Sequence, residues 1–446
     1  MPEVSEAGQV PAKRENAAAS SEAKKDRAFL AVILALTAAY VALFLTLSLY
    51  RYANLRGSSF DTAIFSQVIW LLSRFKGATS TIRGVNLFGD HMAPILFLLL
   101  PLYWVRGNAP ALLAAQTVAL GLGALPLYLL GRKRLESRWL ALALAVAYLS
   151  YPALEHMNLF DFHPESLGVC FLLFAVLAIE KKKHGWFYLM CLLAAVCKED
   201  MVLAVLLLGI LVYFRYDRRA GKVVAISAAG YFMVSVFFII PGLSPAGYQY
   251  SGRLRSFGDS PLEAARNMLI HPRHTMEVLA TRQNLRYALD LLLPVGFLCL
   301  LAPTWLIPAL PAFAINIISD FAPQHTIIHQ YTASIIPFVF IAAVFGLRKI
   351  LNWSAGAARE PAVRGALALV LLGCALTANF YMSPSPLGAD WSRNAYRADR
   401  HVRALKQGLE EIPEGAPVSA QIFMLAHLSD RKGIYLVPSP FVNRMG

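Results

Sequence analysis

Between Phe29 and Tyr381 the chain alternates long apolar blocks with short polar joints. A helix that crosses a bilayer takes about 20 apolar residues, fewer where it packs inside a bundle. By that measure residues 28–50, 109–131, 138–155, 164–179, 185–197, 200–214, 222–241, 285–301, 303–319, 331–347 and 363–381 read as spans. The pattern predicts an all-α, polytopic bundle of about eleven transmembrane helices. Residues 93–105 are apolar but short and carry Pro94 and Pro101, which suits a re-entrant or outer-leaflet helix in an external first-loop helical region. The segment 1–27 has no apolar periodicity and reads as a disordered cytoplasmic tail. Residues 28–381 then form the membrane domain and 382–446 a short extracytoplasmic region.

Composition narrows the class. Of 446 residues 57% are apolar and 15% charged, against about 25% charged in soluble domains, so a soluble globular protein is excluded. The net charge of +14 does not point to nucleic acid, because the basic residues sit in short runs between apolar blocks. The cysteines Cys170, Cys191, Cys197, Cys299 and Cys374 lie in or beside apolar spans with neither metal nor disulfide spacing. The first apolar run is too long for a signal-peptide core and reads as an uncleaved anchor.

Charge also sets the topology. Arg132-Lys133-Arg134 with Arg138, Lys181-Lys182-Lys183, Arg215 with Arg218-Arg219, Arg348-Lys349, and Arg359 with Arg364 fall in alternate joints. The positive-inside rule then puts the N-terminus in the cytoplasm and the C-terminus outside the cytoplasmic membrane. Asp61, Asp90, His91, Asp161, His163, Lys198, Glu199, His325 and His329 all come out on the external side, although none was used to set the register. A charge at mid-bilayer costs about 2.5–3.5 kcal/mol on insertion scales, so such a gathering marks an outward-facing polar site.

Each member has a chemistry and a plainer alternative. Asp61 follows the first span and suits a general base for an acceptor hydroxyl, or, with Ser59, an N-cap for a helix over 62–75. In an extended Asp161-Phe162-His163 the two polar side chains share a face. Carboxylate plus imidazole suits a divalent metal such as Mg²⁺, Mn²⁺ or Zn²⁺, with Asp90 and His91 as further ligands. Glu165 follows a proline at a helix start and fits the helix dipole. Lys198-Glu199-Asp200 makes a tight external turn, from which Lys198 and Glu199 can reach the site. Arg253 and Arg255 lie in an external loop unusually rich in arginine, and guanidinium groups bind phosphate bidentately. His325 and Tyr331 flank His329 near the head of the 331–347 span as further substrate contacts, and the His325/His329 spacing admits metal ligation if a helical turn forms there.

Phe60-Asp61-Thr62, Gly89-Asp90-His91, Asn158 through Glu165, Lys198-Glu199-Asp200 and His427-Leu428-Ser429-Asp430-Arg431 resemble an uncharacterised prokaryotic family of multi-pass membrane proteins. That family, a domain of unknown function, is grouped with the GT-C glycosyltransferase superfamily. The resemblance covers about residues 30–440. It implies a GT-C-like bundle, an essential acid in the first external loop (here Asp61) and a polyprenyl-phosphate or polyprenyl-diphosphate sugar donor. It also likens Asp161 and His163 to the Asp-x-His metal ligands of archaeal oligosaccharyltransferases. Relatives are expected to continue beyond Ile434-Tyr435-Leu436-Val437-Pro438 into a larger soluble tail.

The expectation is an inverting, lipid-linked glycosyltransferase of the cell envelope. Asp61 is its base, and a glycan, lipid or protein is its acceptor. The alternative is a multi-pass transporter or lipid flippase, which favours mid-membrane charges, broken helices and repeated halves.

Overall fold

The computed structural model of the chain describes residues 9–244, 250–355 and 360–440. Arg359, the first eight residues and the last six lie outside that set. Helix α1 (Gln9–Ala53) is 45 residues long and begins inside the segment expected to be a disordered tail. Two acids of that segment have partners: Glu22 and Asp26 each lie 2.6 Å from Arg138, and Asp26 lies 3.2 Å from Arg132.

The basic clusters collect at one end of the bundle. Lys133, Arg134 and Tyr216 converge on the buried carboxylate of Glu180. Arg348 pairs with Glu136 at 3.1 Å, and Arg364 donates to the carbonyl of Leu135 at 2.6 Å. At its other end α1 bonds to the carbonyl of Asn158 through Ser48 and stacks Tyr52 on His427. From Asp26 to Tyr52 the helix rises about 39 Å, more than the roughly 30 Å of a bilayer's hydrocarbon core. One helix thus measures the separation between the basic end and the end that carries the acids and histidines.

Among the described residues five helices are long and apolar enough to cross a membrane, and six if the bent pair Arg138–Leu149 and Pro152–Leu159 is one span. Shorter apolar helices, among them Glu165–Glu180, His184–Ala195 and Met201–Arg215, pack between them. The expected spans 285–301 and 303–319 are not continuous helices. Helix Arg282–Leu292 gives way to short 3-10 turns at Leu293–Val295, Leu298–Leu301, Pro303–Trp305 and Ile307–Ala309 before helix Leu310–Ile318. Pro294, Pro303 and Pro308 lack the amide proton that a helix needs, and Gly296 and Phe297 take positive φ. The 93–105 stretch is a 3-10 turn, Pro94–Leu99, followed by helix Leu100–Arg106.

Helix α2 (Phe60–Ser73), almost wholly buried, is where remote parts of the chain meet. Tyr103 donates to Ser66 at 2.8 Å, and Trp104 to the carbonyl of Ser73 at 3.1 Å. Strands β1 (Thr79–Ser80) and β2 (Val85–Asn86) form a small hairpin beside it. The C-terminal segment pairs β3 (Val418–Ala420) with β4 (Ile434–Leu436) in parallel. Ala420, Leu425, Ala426, Leu428 and Ile434 pack there with Ala63 in a core of their own. The fully buried Gln67 ties these pieces together. Its carbonyl accepts from Ser80 and from the amide of Thr81, and its amide donates to Thr81 and to the carbonyl of Lys432. The His427–Arg431 motif belongs to this clasp: Ser429 bonds to Ser66 and His427 to the carbonyl of Tyr52.

Candidate active site

The site is built on the first turn of α2. Ser59 holds the N-cap position with φ of 58°, and its own hydroxyl caps nothing. The carboxylate of Asp161 fills that role, accepting from the amides of Ser59 at 2.8 Å and Asp61 at 3.1 Å. Thr62 accepts from the amide of Phe162 at 2.9 Å, closing the join. The 160–164 loop is fixed from behind by the fully buried Gln116, whose carbonyl accepts from the amide of His163 and the hydroxyl of Ser166, both at 2.9 Å. His163 points Nδ1 at the carbonyl of Asp161, 3.0 Å away, and Nε2 at the Asp61 carboxylate, 3.4 Å away.

Asp61, a third exposed, opens onto a cavity of about 320 Å³ that is also lined by Arg83, Asp90, His91, His163, Glu165, Lys198, Tyr250, Arg253 and Tyr331. A bonded chain crosses one wall. Arg83 grips Asp90 with two bonds, at 3.0 and 3.2 Å. The Tyr250 hydroxyl lies 2.9 Å from both Asp90 and the Nε2 of His91. His91 Nδ1 meets Glu199 at 2.8 Å, and the amide of Met92 donates to the same carboxylate at 3.0 Å. Lys198 is held by Glu165 at 2.9 Å and Asp200 at 3.5 Å. The Arg253 guanidinium sits 4.5 Å from the Tyr250 ring and 4.6 Å from that of Phe321, with Tyr331 at 5.6 Å. Among the described residues it has no carboxylate within ion-pair reach, so of the cavity's cations it is the one with charge to offer an anion.

Electrostatics sort the acids. Burial opposes ionisation of Asp61, but the bond to His163 and the positive field of His163, His91 and Arg83 hold it below the ordinary carboxyl value. The same pairing lifts His163 above the usual imidazole range against the cost of burial. Asp161 moves the other way, raised by burial and by the charge of Asp61. Glu199, despite its burial, is held low by His91 and Lys198.

The structure corrects several assignments. Asp161 is not on the cavity wall; its oxygens are spent on two backbone amides. Glu199 stands behind His91 rather than facing the cavity. Arg255 is exposed and off the wall. His325 is bound on both ring nitrogens, by Asn284 and the carbonyl of Ser319, each at 2.6 Å, and lines a second cavity of about 720 Å³ instead. His329 faces Phe160 and Thr326 and shares no ligand with His325.

Asp90, His91, Asp161 and His163 do not make a common metal donor set either. Arg83 and Tyr250 take the oxygens of Asp90, two amides take those of Asp161, and both nitrogens of His91 are engaged. Among the described residues no group of three or more histidine, cysteine or acidic side chains could hold a metal ion.

Arg83, Glu165 and Tyr250 also line the cavity, beyond the residues that the sequence pattern assigns to it. Arg83 had a signal, as the sole charge between Lys76 and Asp90. Tyr250 had none, since tyrosines are frequent in this chain.

A family model described as "Predicted membrane protein (DUF2079)" matches residues 51–443. No curated protein matches the chain. Among solved structures it is similar to ArnT from Cupriavidus metallidurans bound to undecaprenyl phosphate. That match has 14% identity and a TM-score of 0.47 and covers 90% of this chain and 86% of that one. It is also similar to the oligosaccharyltransferase AglB from Archaeoglobus fulgidus in complex with an inhibitory peptide and a dolichol-phosphate, at 11% identity and TM-score 0.44, covering 84% and 58%. The Archaeoglobus fulgidus oligosaccharyltransferase in complex with Zn and sulfate gives 12% and 0.43, covering 89% and 62%. The chain spans about six-tenths of the length of both archaeal structures.

Proposed function

The chain belongs to the DUF2079 family of predicted membrane proteins, and from that premise we propose that it is a membrane glycosyltransferase. In this reading it moves a sugar from a polyprenyl-phosphate carrier to a hydroxyl of a glycan, lipid or protein at the outer face of the membrane. The observation that carries the reading is Asp61, a carboxylate kept ionised by His163 and open to a cavity that also presents Arg253. The gathering of the basic clusters at the opposite end of the bundle supports an outward-facing site by the positive-inside rule.

The acceptor oxygen attacks the anomeric carbon while the bond from that carbon to the phosphate oxygen breaks. The phosphate leaves with the bonding pair, and Asp61 takes the acceptor's proton. One displacement inverts the anomeric centre. Arg253, stacked but not ion-paired, meets the charge that grows on the phosphate. Lys198 contributes less, because Glu165 and Asp200 already balance it. Asp161 and His163 fix the position and charge state of Asp61.

The test uses the full chain in lipid nanodiscs, supplied with radiolabelled lipid-linked sugars and acceptor membranes extracted from the producing organism. Discharge of label from the lipid pool by the wild type, lost in Asp61→Asn, is the expected result. A wild-type protein that leaves the lipid pool untouched overturns the reading.

A further inference from the structure

Three of the basic joints at one end of the bundle close around a pocket of about 370 Å³. It lies where helix Ala124–Leu135 ends, where Glu165–Glu180 turns into His184–Ala195, and where Met201–Arg215 turns into Arg218–Val234. Lys133, Arg134 and Lys182 line it, with Glu180 and Asp217 as its acids. Both acids are already committed. Lys133, Arg134 and Tyr216 share Glu180. Asp217 accepts from the amide of Ala220 at 2.6 Å and faces His184 at 3.8 Å.

Positive charge is left over. The ion pairs of the pocket run from Lys133, Arg134 and His184, which leaves Lys182 without a carboxylate among the described residues. The Nε of Arg134 is buried and has no hydrogen-bond partner. Lys181, Lys183, Arg215 and Arg218, all exposed, flank these residues in the chain. Lys182 itself holds a φ of 54°, which glycine or asparagine adopts more readily, so the turn alone does not call for a lysine. Helix His184–Ala195 opens at the pocket with no side-chain cap, and its first amides add to the positive field. Two tryptophans set the depth. Trp186, two residues past His184, is 61% exposed, and Trp139, beside Arg138, is 70% exposed. Indole rings gather at the membrane–water boundary, which puts the pocket at the level of the lipid headgroups. Leu189 and Leu192 continue the exposed apolar face of the same helix beyond it.

We propose that this pocket holds the phosphate of an anionic phospholipid from the leaflet at the basic end of the bundle. Basic pockets between membrane helices recognise such headgroups by charge. The site is separate from the cavity of Asp61 and independent of the glycosyltransferase reading. Phosphatidylglycerol fits, because its headgroup carries no cation. The quaternary ammonium of phosphatidylcholine would instead face Lys182 and Arg134. A soluble phosphate meets the same charge but gains nothing from the apolar face beside it.

The experiment titrates the full-length, delipidated protein in detergent with dioleoylphosphatidylglycerol or dioleoylphosphatidylcholine and counts bound lipids by native mass spectrometry. The wild type is expected to bind phosphatidylglycerol the more tightly. The double variant Lys133→Gln/Lys182→Asn removes two exposed cations, and asparagine accepts the positive φ at 182. Its affinity for phosphatidylglycerol is expected to fall about twenty-fivefold, about fivefold for each cation, with the melting temperature and phosphatidylcholine binding unchanged. Arg27→Gln/Lys349→Gln removes two exposed charges from the same end but outside the pocket, and is expected to bind phosphatidylglycerol as the wild type does. An equal loss in that control would make the attraction diffuse and overturn the site. Equal affinity of the wild type for both lipids overturns it too, as does an unaltered phosphatidylglycerol affinity in the pocket variant. Displacement of the lipid by an equal concentration of glycerophosphoglycerol, the same headgroup without chains, would make the ligand a soluble phosphate and overturn the lipid assignment.

Discussion

The carboxylate of Asp161 receives the backbone amide of Asp61 at 3.1 Å and that of Ser59 at 2.8 Å. Helix α2 is therefore capped from about a hundred residues away. An N-cap normally comes from the residue at the helix start, but Ser59, with its φ of 58°, does not supply one. Asp61 and the residue that sets its backbone thus come from distant parts of the chain.

Asp161→Ala should accordingly harm both stability and turnover. Loss of a cap costs about 0.5–2 kcal/mol, and the freed amide of Ser59 is buried. The expected outcome is a lower melting temperature and a fall in kcat of about 10²-fold as Asp61 drifts from its place. Asp161→Asn keeps one acceptor oxygen and should recover most of the stability. Equal kcat in wild type and Asp161→Ala would remove the positioning role.

Asp61→Asn keeps shape and packing while removing the proposed base. Sugar discharge should fall by about 10²–10⁴ with the melting temperature nearly unchanged. A loss confined to KM would instead assign Asp61 to binding.

The acid limb of activity tests the Asp61–His163 pair. Asp61 must be ionised to take a proton, and its pKa is held below the ordinary carboxyl value, which is about 3.9. In the wild type kcat/KM should therefore hold until the pH falls below that range. In His163→Gln burial stays while its chief opponent is gone, so the Asp61 pKa rises and the acid limb moves to higher pH. A limb at the same pH in both proteins would separate the histidine from the carboxylate's ionisation.

Arg253 should act on the carrier's phosphate. Arg253→Ala is expected to raise KM for the lipid donor about tenfold or more, as for the loss of one charge-assisted contact. Lysine should not rescue it, because the aromatic stack of Tyr250, Phe321 and Tyr331 suits a planar guanidinium. Full rescue by Arg253→Lys would make the stack irrelevant.

Gln67 offers a stability test away from the chemistry. Gln67→Leu fills similar volume but strands the groups of Ser80, Thr81 and Lys432 that it now satisfies. Each unsatisfied buried group costs about 1–3 kcal/mol. The expected result is a drop in melting temperature, read by intrinsic fluorescence in detergent, with β1–β2 and the C-terminal clasp protected less from proteolysis.

What was legible in the sequence follows its physics. Long apolar blocks became helices within a few residues of where they were read, as with Ala109–Leu135 and Glu360–Met382, because burial of a continuous apolar surface fixes them. The 285–319 region misled, since hydropathy counts Pro294, Pro303 and Pro308 as neutral while the backbone cannot. Asp61, Asp90, His91, His163 and Lys198 do line one cavity, as their placement at span ends implied. The roles within it were hidden. That Asp161 caps a helix, that Glu199 serves His91, and that His325 faces a different cavity all depend on which backbone groups lie nearby, and spacing along the chain does not encode that.

The clasp on α2 also imposes an order on biogenesis. Thr81 bonds to the carbonyl of Ile434 across 353 positions, and at synthesis rates of about 5–20 residues per second that separation lasts roughly 18–70 s. Throughout that interval Gln67 and Ser66, on the helix bearing Asp61, lack their C-terminal partners. The clasp is therefore complete only after residues 418–436 have been made, and chains cut short before Ser429 leave Gln67 and Ser66 without those partners.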